Sequence, residues 1–485
     1  MRAARTMTGA ATAAAVAALI AGCTGPGSES RSDGKSVGGA TDSTPSAEPL
    51  ARLSVPSAYD PAKGWDETLA WVPGSVGTLP LTVVPDQGAV ALMRVSSDGY
   101  TLRVRAVGTG EMRWTSAPWQ PPTPVEGAEG DPESGEAAEI PDVTGVEQDG
   151  RDYVVAYAHG MRGKDALHEG TEVVRLAVYA ADASGSSVKP LREIDVPVSA
   201  DPGEIRLNAD GGRLLVAWGE EGAYPRWSHA VDVATGTVTP YKDPDALMAQ
   251  CEEAMVCNGS RIIAAAAEGP LVSVGSGGFG MPGRWFSDDV RPDGVSAKTG
   301  FLDSSNGEAY GAEGGRLLAH WDRAGRDGAD ADPVWSVHDV RTGRLQARVE
   351  CGYEGVRHSV SGRSASRDYS VITSPSGRYL AAGPVAFDLE RKKGICMYGD
   401  GDRKTIALAS LRDDGTAYGV VEEDSASGSA PVVVQLDLAD GAADGAAKVL
   451  GAGVEIPYLT DANGSGLFVT RDEAENVRVS SRRER

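Results

Sequence analysis

With 485 residues, 41% of them apolar, the chain can bury one large core or a repeat array, and its 62 glycines and 28 prolines suit many strands joined by many turns. A formal net charge of −23 repels phosphate backbones and anionic headgroups, which argues against nucleic-acid partners. Beyond the N-terminus no run approaches the roughly 18 apolar residues that a spanning helix needs.

Arg2 and Arg5 precede a mostly apolar run from Ala10 to Ile20, closed by the small residues Ala21 and Gly22. A basic start, a short apolar segment and small residues make a secretory signal over residues 1–22. Ile20-Ala-Gly-Cys23 resembles the lipobox of bacterial lipoproteins, with Ile20 where Leu is commoner. The resemblance implies lipid transfer to the Cys23 thiol, cleavage before Cys23 and an acylated new N-terminus, with palmitate among the chains. Two or three chains, at roughly 0.8 kcal/mol per buried methylene, would then hold the protein on the extracytoplasmic face of the cell membrane. Residues 23–50 are rich in Ser, Gly, Thr and Pro, too polar to bury a core, and read as a disordered tether.

Five cysteines fit that compartment. Cys23 goes to lipid, and Cys251, Cys257, Cys351 and Cys396 form an even set for disulfides. Three pairings are open; one joins Cys251 to Cys257 across a short loop and leaves Cys351 with Cys396. The spacings match no zinc pattern.

Residues 51–485 read as short strands and tight turns, with period-two alternation as in Thr101-Leu-Arg-Val-Arg-Ala-Val107. One signature, an apolar strand running into a Gly-containing turn, begins at Val104-Arg-Ala-Val-Gly-Thr-Gly110. It returns at Val178–Gly185, Val231–Gly236, Asp289–Gly294, His338–Gly343, Phe387–Gly394 and Leu436–Gly441. The closing glycines fall about 50 residues apart, the mark of one supersecondary unit repeated. The widest interval holds an acidic, Gly- and Pro-rich insertion near 125–142. A second signature, a polar hairpin before an apolar strand, appears at Asn208–Val216, Ser374–Leu380, Arg412–Tyr418 and Asp461–Val469. Each hairpin falls between the first and second strands of a repeat, giving four strands per unit.

Four-stranded units of that length fit a single all-β propeller. Seven turns give at least seven blades. Glu455–Leu459, Leu467–Thr470 and Val477–Ser480 read as the first three strands of an eighth, with Leu53–Val55 as candidate fourth strand. Eight blades, closed by pairing of the N- and C-terminal strands, are therefore expected, with seven as the alternative. Ala106, Thr109-Gly110 and Trp114 are similar to the repeat of the quinoprotein-like (PQQ-like) propeller family, and the hairpins look equally like WD-repeat propellers. The resemblance implies the fold and not the cofactor, because the adjacent cysteines common among quinoprotein dehydrogenases are missing.

Chemistry-bearing motifs are sparse. Asp461-x-Asn463-x-Ser465-Gly466, with Asp472 in twelfth place, resembles a calcium loop, but Asp replaces the expected Glu and a strand follows directly, so an ordinary turn is expected. The six histidines, His159, His168, His229, His320, His338 and His358, show no metal or nucleophile spacing. Trp114 is expected to wedge between blades, whereas Trp227 and Trp285 lie beside loop-like sequence and are candidates to line a sugar or peptide groove. No catalytic, cofactor or metal residue is assigned. The expectation is a lipid-anchored binding or scaffold module for a protein or glycan of the envelope. The alternative is a hydrolase or lyase acting at the channel mouth.

Overall fold

The computed structural model describes residues 50–485 apart from 74–75, 77, 124–139, 201, 204, 220–225, 249–259, 275–276, 296–306, 325–329, 354–369, 400–402, 422–430, 440–446 and 452. The signal segment, Cys23, the tether up to residue 49, Cys251, Cys257, His358 and nearly all of the acidic insertion lie outside the described residues.

Eight sheets follow one another around a ring, an all-β propeller of eight blades. Blade 1 holds Leu81–Val84, Ala89–Ser96, Gly99–Ala106 and Met112–Ser116; blade 2 holds Asp142–Gln148, Arg151–Arg162, Thr171–Ala180 and Arg192–Pro197. Blade 3 holds Ile205–Asn208, Leu214–Trp218, Trp227–Asp232 and Thr237–Tyr241; blade 4 holds Arg261–Ala266, Gly269–Ser273, Phe279–Met281 and Trp285–Phe286. Blade 5 holds Glu308–Glu313, Arg316–Ala324, Asp330–Asp339 and Leu345–Glu350; blade 6 holds Ile372–Thr373, Tyr379–Ala382, Val385–Asp388 and Lys393–Cys396. Blade 7 holds Ile406–Leu411, Thr416–Val421, Val432–Asp437 and Lys448–Gly451. In each of these the chain runs from the innermost strand outward.

Blade 8 takes Leu459–Thr460, Gly466–Arg471 and Val477–Glu484 from the C-terminus and its outer strand, Tyr59–Leu69, from the other end of the chain. The pairing is antiparallel, with Asp66 opposite Ser480 and Leu69 opposite Val477. Closure from both ends was expected; the strand was not. Leu53–Val55 stops at Pro56, whose carbonyl accepts the Tyr59 N–H in a turn, and its residues lie beside blade 8, where Ser54 O accepts the Glu455 N–H at 2.8 Å. Tyr59–Leu69 buries Trp65, Glu67 and Leu69 in alternation, the pattern of a strand with one face inward. The first strand of blade 8 is also later than expected, at Leu459–Thr460.

Two further differences concern phase. In blade 4 the third-to-fourth turn falls between Met281 and Trp285, so Asp289–Gly294 lies after the blade and begins on the last residue of the 3₁₀ turn Ser287–Asp289. Three- and two-residue strands are too short to show alternation. After its third strand blade 2 sends out Gly185–Val188, which pairs parallel with Met112–Ser116 and covers the outer edge of blade 1. The insertion near 125–142 lies within the widest interval between closing glycines, Gly110 to Gly185, and the excursion follows it.

Each blade is sandwiched between two others, so its middle strands are buried on both faces and read as apolar runs. Leu214–Trp218 is buried throughout, while the outer Thr237–Tyr241 is not. Eight apolar clusters result, one in each seam of the ring. Three seams carry the same device: an indole on the fourth strand of one blade donates to the carbonyl just after the third strand of the next. Trp65 reaches Val107 O at 2.8 Å, Trp114 reaches Ala181 O at 3.0 Å, and Trp285 reaches Val340 O at 3.2 Å. Trp114 thus docks as expected. Trp285 does not line a groove; it is buried in the blade 4–5 seam. Between blades 2 and 3, Ile194 occupies the corresponding place beside Gly236.

Polar locks reinforce the closing seam. Glu67, 5% exposed, takes Arg94 Nη2 at 2.6 Å and Arg105 Nε at 2.8 Å from blade 1. Arg482, fully buried, donates to Asp66 Oδ1 at 2.8 Å and to Ala51 O at 3.0 Å. Among the four candidate disulfide cysteines, Cys351 and Cys396 are bonded, tying the end of blade 5 to the last strand of blade 6.

Candidate binding site in the central channel

The innermost strands leave an axial channel of about 1130 Å³. Strand alternation points alternate residues of each first strand into it. One end is ringed by the hairpins between first and second strands, which are the polar Asx–Gly segments visible in the sequence, together with the turns between third and fourth strands.

This end is charged and cross-braced. Arg213 of blade 3 pairs with Asp149 of blade 2 at 3.2 Å and with Asp232 at 3.3 Å. Gln148 Nε2 donates to Asp232 Oδ1 at 2.9 Å, and its Oε1 accepts the Val233 N–H at 3.0 Å. Arg341 of blade 5 binds Glu268 of blade 4, with Nε 2.7 Å from Oε1. The Ser376 hydroxyl donates to Asp413 Oδ1 at 2.6 Å. These contacts link hairpins of adjacent blades to one another.

Two places in the rim are unbalanced. Asp86, Glu147 and Asp152 gather where blades 1 and 2 meet. Burial, and then the charges of Asp86 and Asp152, push the Glu147 carboxyl above its ordinary range. Burial and the charges of Asp86 and Asp182 push Asp152 up, against the 3.1 Å hydrogen bond from Gln87. At blade 5, burial pushes the Arg316 guanidinium down, with Asp339 acting the other way. Toward the other end of the channel the Tyr157 hydroxyl donates to Asp142 Oδ2 at 2.9 Å, and burial followed by the Asp142 charge raises the phenol. No sequence motif flagged Glu147, Asp152 or Arg316. Each is an ordinary residue made unusual by the ring.

The candidate chemistry read from the sequence is dispersed. His338 is fully buried in a hydrogen-bonded chain: Trp321 Nε1 donates to Ser336 Oγ at 2.6 Å, Ser336 Oγ lies 2.8 Å from His338 Nε2, and Nδ1 lies 3.0 Å from Gly343 O. Nδ1–H donating to Gly343 and Nε2 accepting from the serine satisfies every partner, which is the neutral tautomer. Burial drops this imidazole to about 4. A serine–histidine pair so enclosed is structural. His159 pairs with Glu172 at 2.7 Å, His168 with Asp165 at 2.8 Å, and His229 and His320 pack edge-on against Trp218 and Trp335. Asp461 Oδ1 accepts the N–H groups of Asn463 and Ser465, at 3.1 and 2.6 Å, in an Asx turn; Asp472 caps a separate turn through Ala474 and Asn476. Among the described residues no group of three His, Cys, Asp or Glu side chains could hold a metal ion. Trp227 is 39% exposed at the outset of a blade 3 strand, under the Arg226 guanidinium, and does not line the channel.

No protein-family model matches the chain, and no curated protein matches it. Among solved structures it is distantly similar to several propellers. The Dos1 propeller is 10% identical, with 86% of this chain and 95% of that one covered and a TM-score of 0.36. The hydrazine synthase of Kuenenia stuttgartiensis is 11% identical over 83% of this chain and 96% of its own, at a TM-score of 0.32. TolB of Acinetobacter baumannii is 12% identical over 84% and 80%, at 0.23.

Proposed function

We propose that the protein is a binding or scaffold module of the bacterial envelope, lipid-anchored through Cys23 on the extracytoplasmic face of the cell membrane. Its partner is an envelope protein or glycan. The observation that carries the reading is the channel rim: loops of neighbouring blades cross-braced by Arg213–Asp149, Arg341–Glu268 and Ser376–Asp413 hold a polar mouth rigid. A preformed mouth binds without the entropy cost of ordering its loops. Lipidation rests on Ile20-Ala-Gly-Cys23, and the quinoprotein-like relationship on Ala106, Thr109-Gly110 and Trp114. In-cell crosslinking followed by pull-down tests the module: a discrete envelope component should co-purify, and recovery of the bare protein alone would remove the reading. Palmitate labelling that persists in Cys23→Ser would remove the anchor.

A second reading, an extracytoplasmic hydrolase or lyase, is favoured by the raised carboxyls of Glu147 and Asp152, since general acids are made that way. It requires a turnover that Glu147→Gln abolishes.

A further inference from the structure

Three arginines line the hairpin end of the channel, and two are neutralised, Arg213 by Asp149 and Asp232, Arg341 by Glu268. The Arg316 side chain makes no hydrogen bond or ion pair among the described residues. Asp339, opposite it on the neighbouring strand, has its Oδ1 taken by the Thr342 N–H at 2.9 Å and the Thr342 hydroxyl at 2.7 Å.

The guanidinium lies against blade 6. Gly377, at φ +68, closes the Ser374–Gly377 hairpin and lies directly against it: a Cβ there would be 2.5 Å from Nη1, 3.0 Å from Nη2 and 3.1 Å from Cζ. Only a residue without a side chain lets the charged group approach this backbone so closely. Burial disfavours the charged form, with only the charge of Asp339 acting against it, and a guanidinium cannot shed its proton to escape the cost. The unbalanced carboxylates Asp86, Glu147 and Asp152 belong to blades 1 and 2, four places round the ring from blades 5 and 6. The mouth is thus polarised, with a carboxylate cluster on one side and, on the other, a cation whose side chain has no hydrogen-bond or ion-pair partner among the described residues.

We propose that Arg316 is an oxyanion-binding site at the channel mouth, which takes a carboxylate or phosphate group of the ligand. The planar fork of N–H donors matches two oxygens of either group. Partial desolvation strengthens the contact relative to one made in bulk water. The acidic side of the rim rejects the same group, so the ligand enters in one orientation. The inference deepens the binding-module reading and rests on it.

The test is calorimetric titration of the purified full chain at low ionic strength with inorganic phosphate and, separately, with succinate. Saturable binding of at least one is expected, and the tighter of the two identifies the source chemistry. Arg316→Gln should weaken it at least tenfold. Arg316→Lys, which keeps the charge but loses the fork, should fall between. Arg291→Gln, on the opposite face, should bind as the parent does. Absence of binding by the parent, or binding by Arg316→Gln as tight as the parent's, would overturn the proposal. The titration needs no partner, so its failure and a failed crosslink are separate results.

Discussion

Trp65 donates its indole N–H to Val107 O at 2.8 Å, across the seam at which the two ends of the chain meet blade 1. The ring also covers Gly110, at φ +71, where a Cβ would lie 2.5 Å from Cδ1. Glycine closes this turn for two reasons at once, the left-handed backbone and the indole against it. Trp65→Phe should destabilise by about 1 kcal/mol through the unpaired carbonyl. Gly110→Ala should cost more, about 2 kcal/mol or above, from strain and overlap together. Denaturant midpoints check both, with the exposed Trp227→Phe as a control that should barely move. Equal midpoints for all three would refute the docking role.

His338 makes stability depend on pH. Its folded value of about 4 lies below the ordinary 6.5, so the unfolded chain binds the proton more readily. The His338 contribution is complete above about pH 6.5, declines as pH falls toward 4, and is spent below that, roughly 3 kcal/mol in all. His229, lowered by burial and then by Lys242, acts in the same direction. Unfolding curves between pH 7 and 4 should show this slope, and His338→Gln should flatten it. A slope that survives the substitution would assign the effect elsewhere.

The Cys351–Cys396 bond spans a sequence separation of 45 residues. Closing a loop of that size in the unfolded chain is worth about 2–4 kcal/mol. Reduction, or the double change to Ala, should lower the denaturant midpoint accordingly and leave far-ultraviolet dichroism unchanged. Loss of sheet signal would mean that the bond is needed to form blades 5 and 6 rather than to hold them.

The architecture could be read from the chain because each blade repeats its turns, and turn chemistry is local. Thr109-Gly110 and Asp461–Ser465 announce their conformation in a few residues. What escaped was set by distance. Tyr59–Leu69 carries Asp60, Pro61, Lys63 and Gly64, and so looks like polar loop until Val477–Glu484 is laid beside it. Trp285 reads as loop because its strand has two residues, yet Val340, 55 residues on, defines its role. Arg316 gave no signal at all. Its isolation depends on the neighbouring strand, where Asp339 Oδ1 is taken by Thr342, which no local pattern records.

The pairing of Tyr59–Leu69 with Val477–Glu484 has a consequence for synthesis. Asp66 and Arg482 stand 416 positions apart. At ribosomal rates of about 5–20 residues per second, the earliest strand to emerge waits roughly 20–80 seconds for its partner to be made. Until that partner is in place the edge of Tyr59–Leu69 is open to any other extended segment, so the circle cannot close before the whole chain exists.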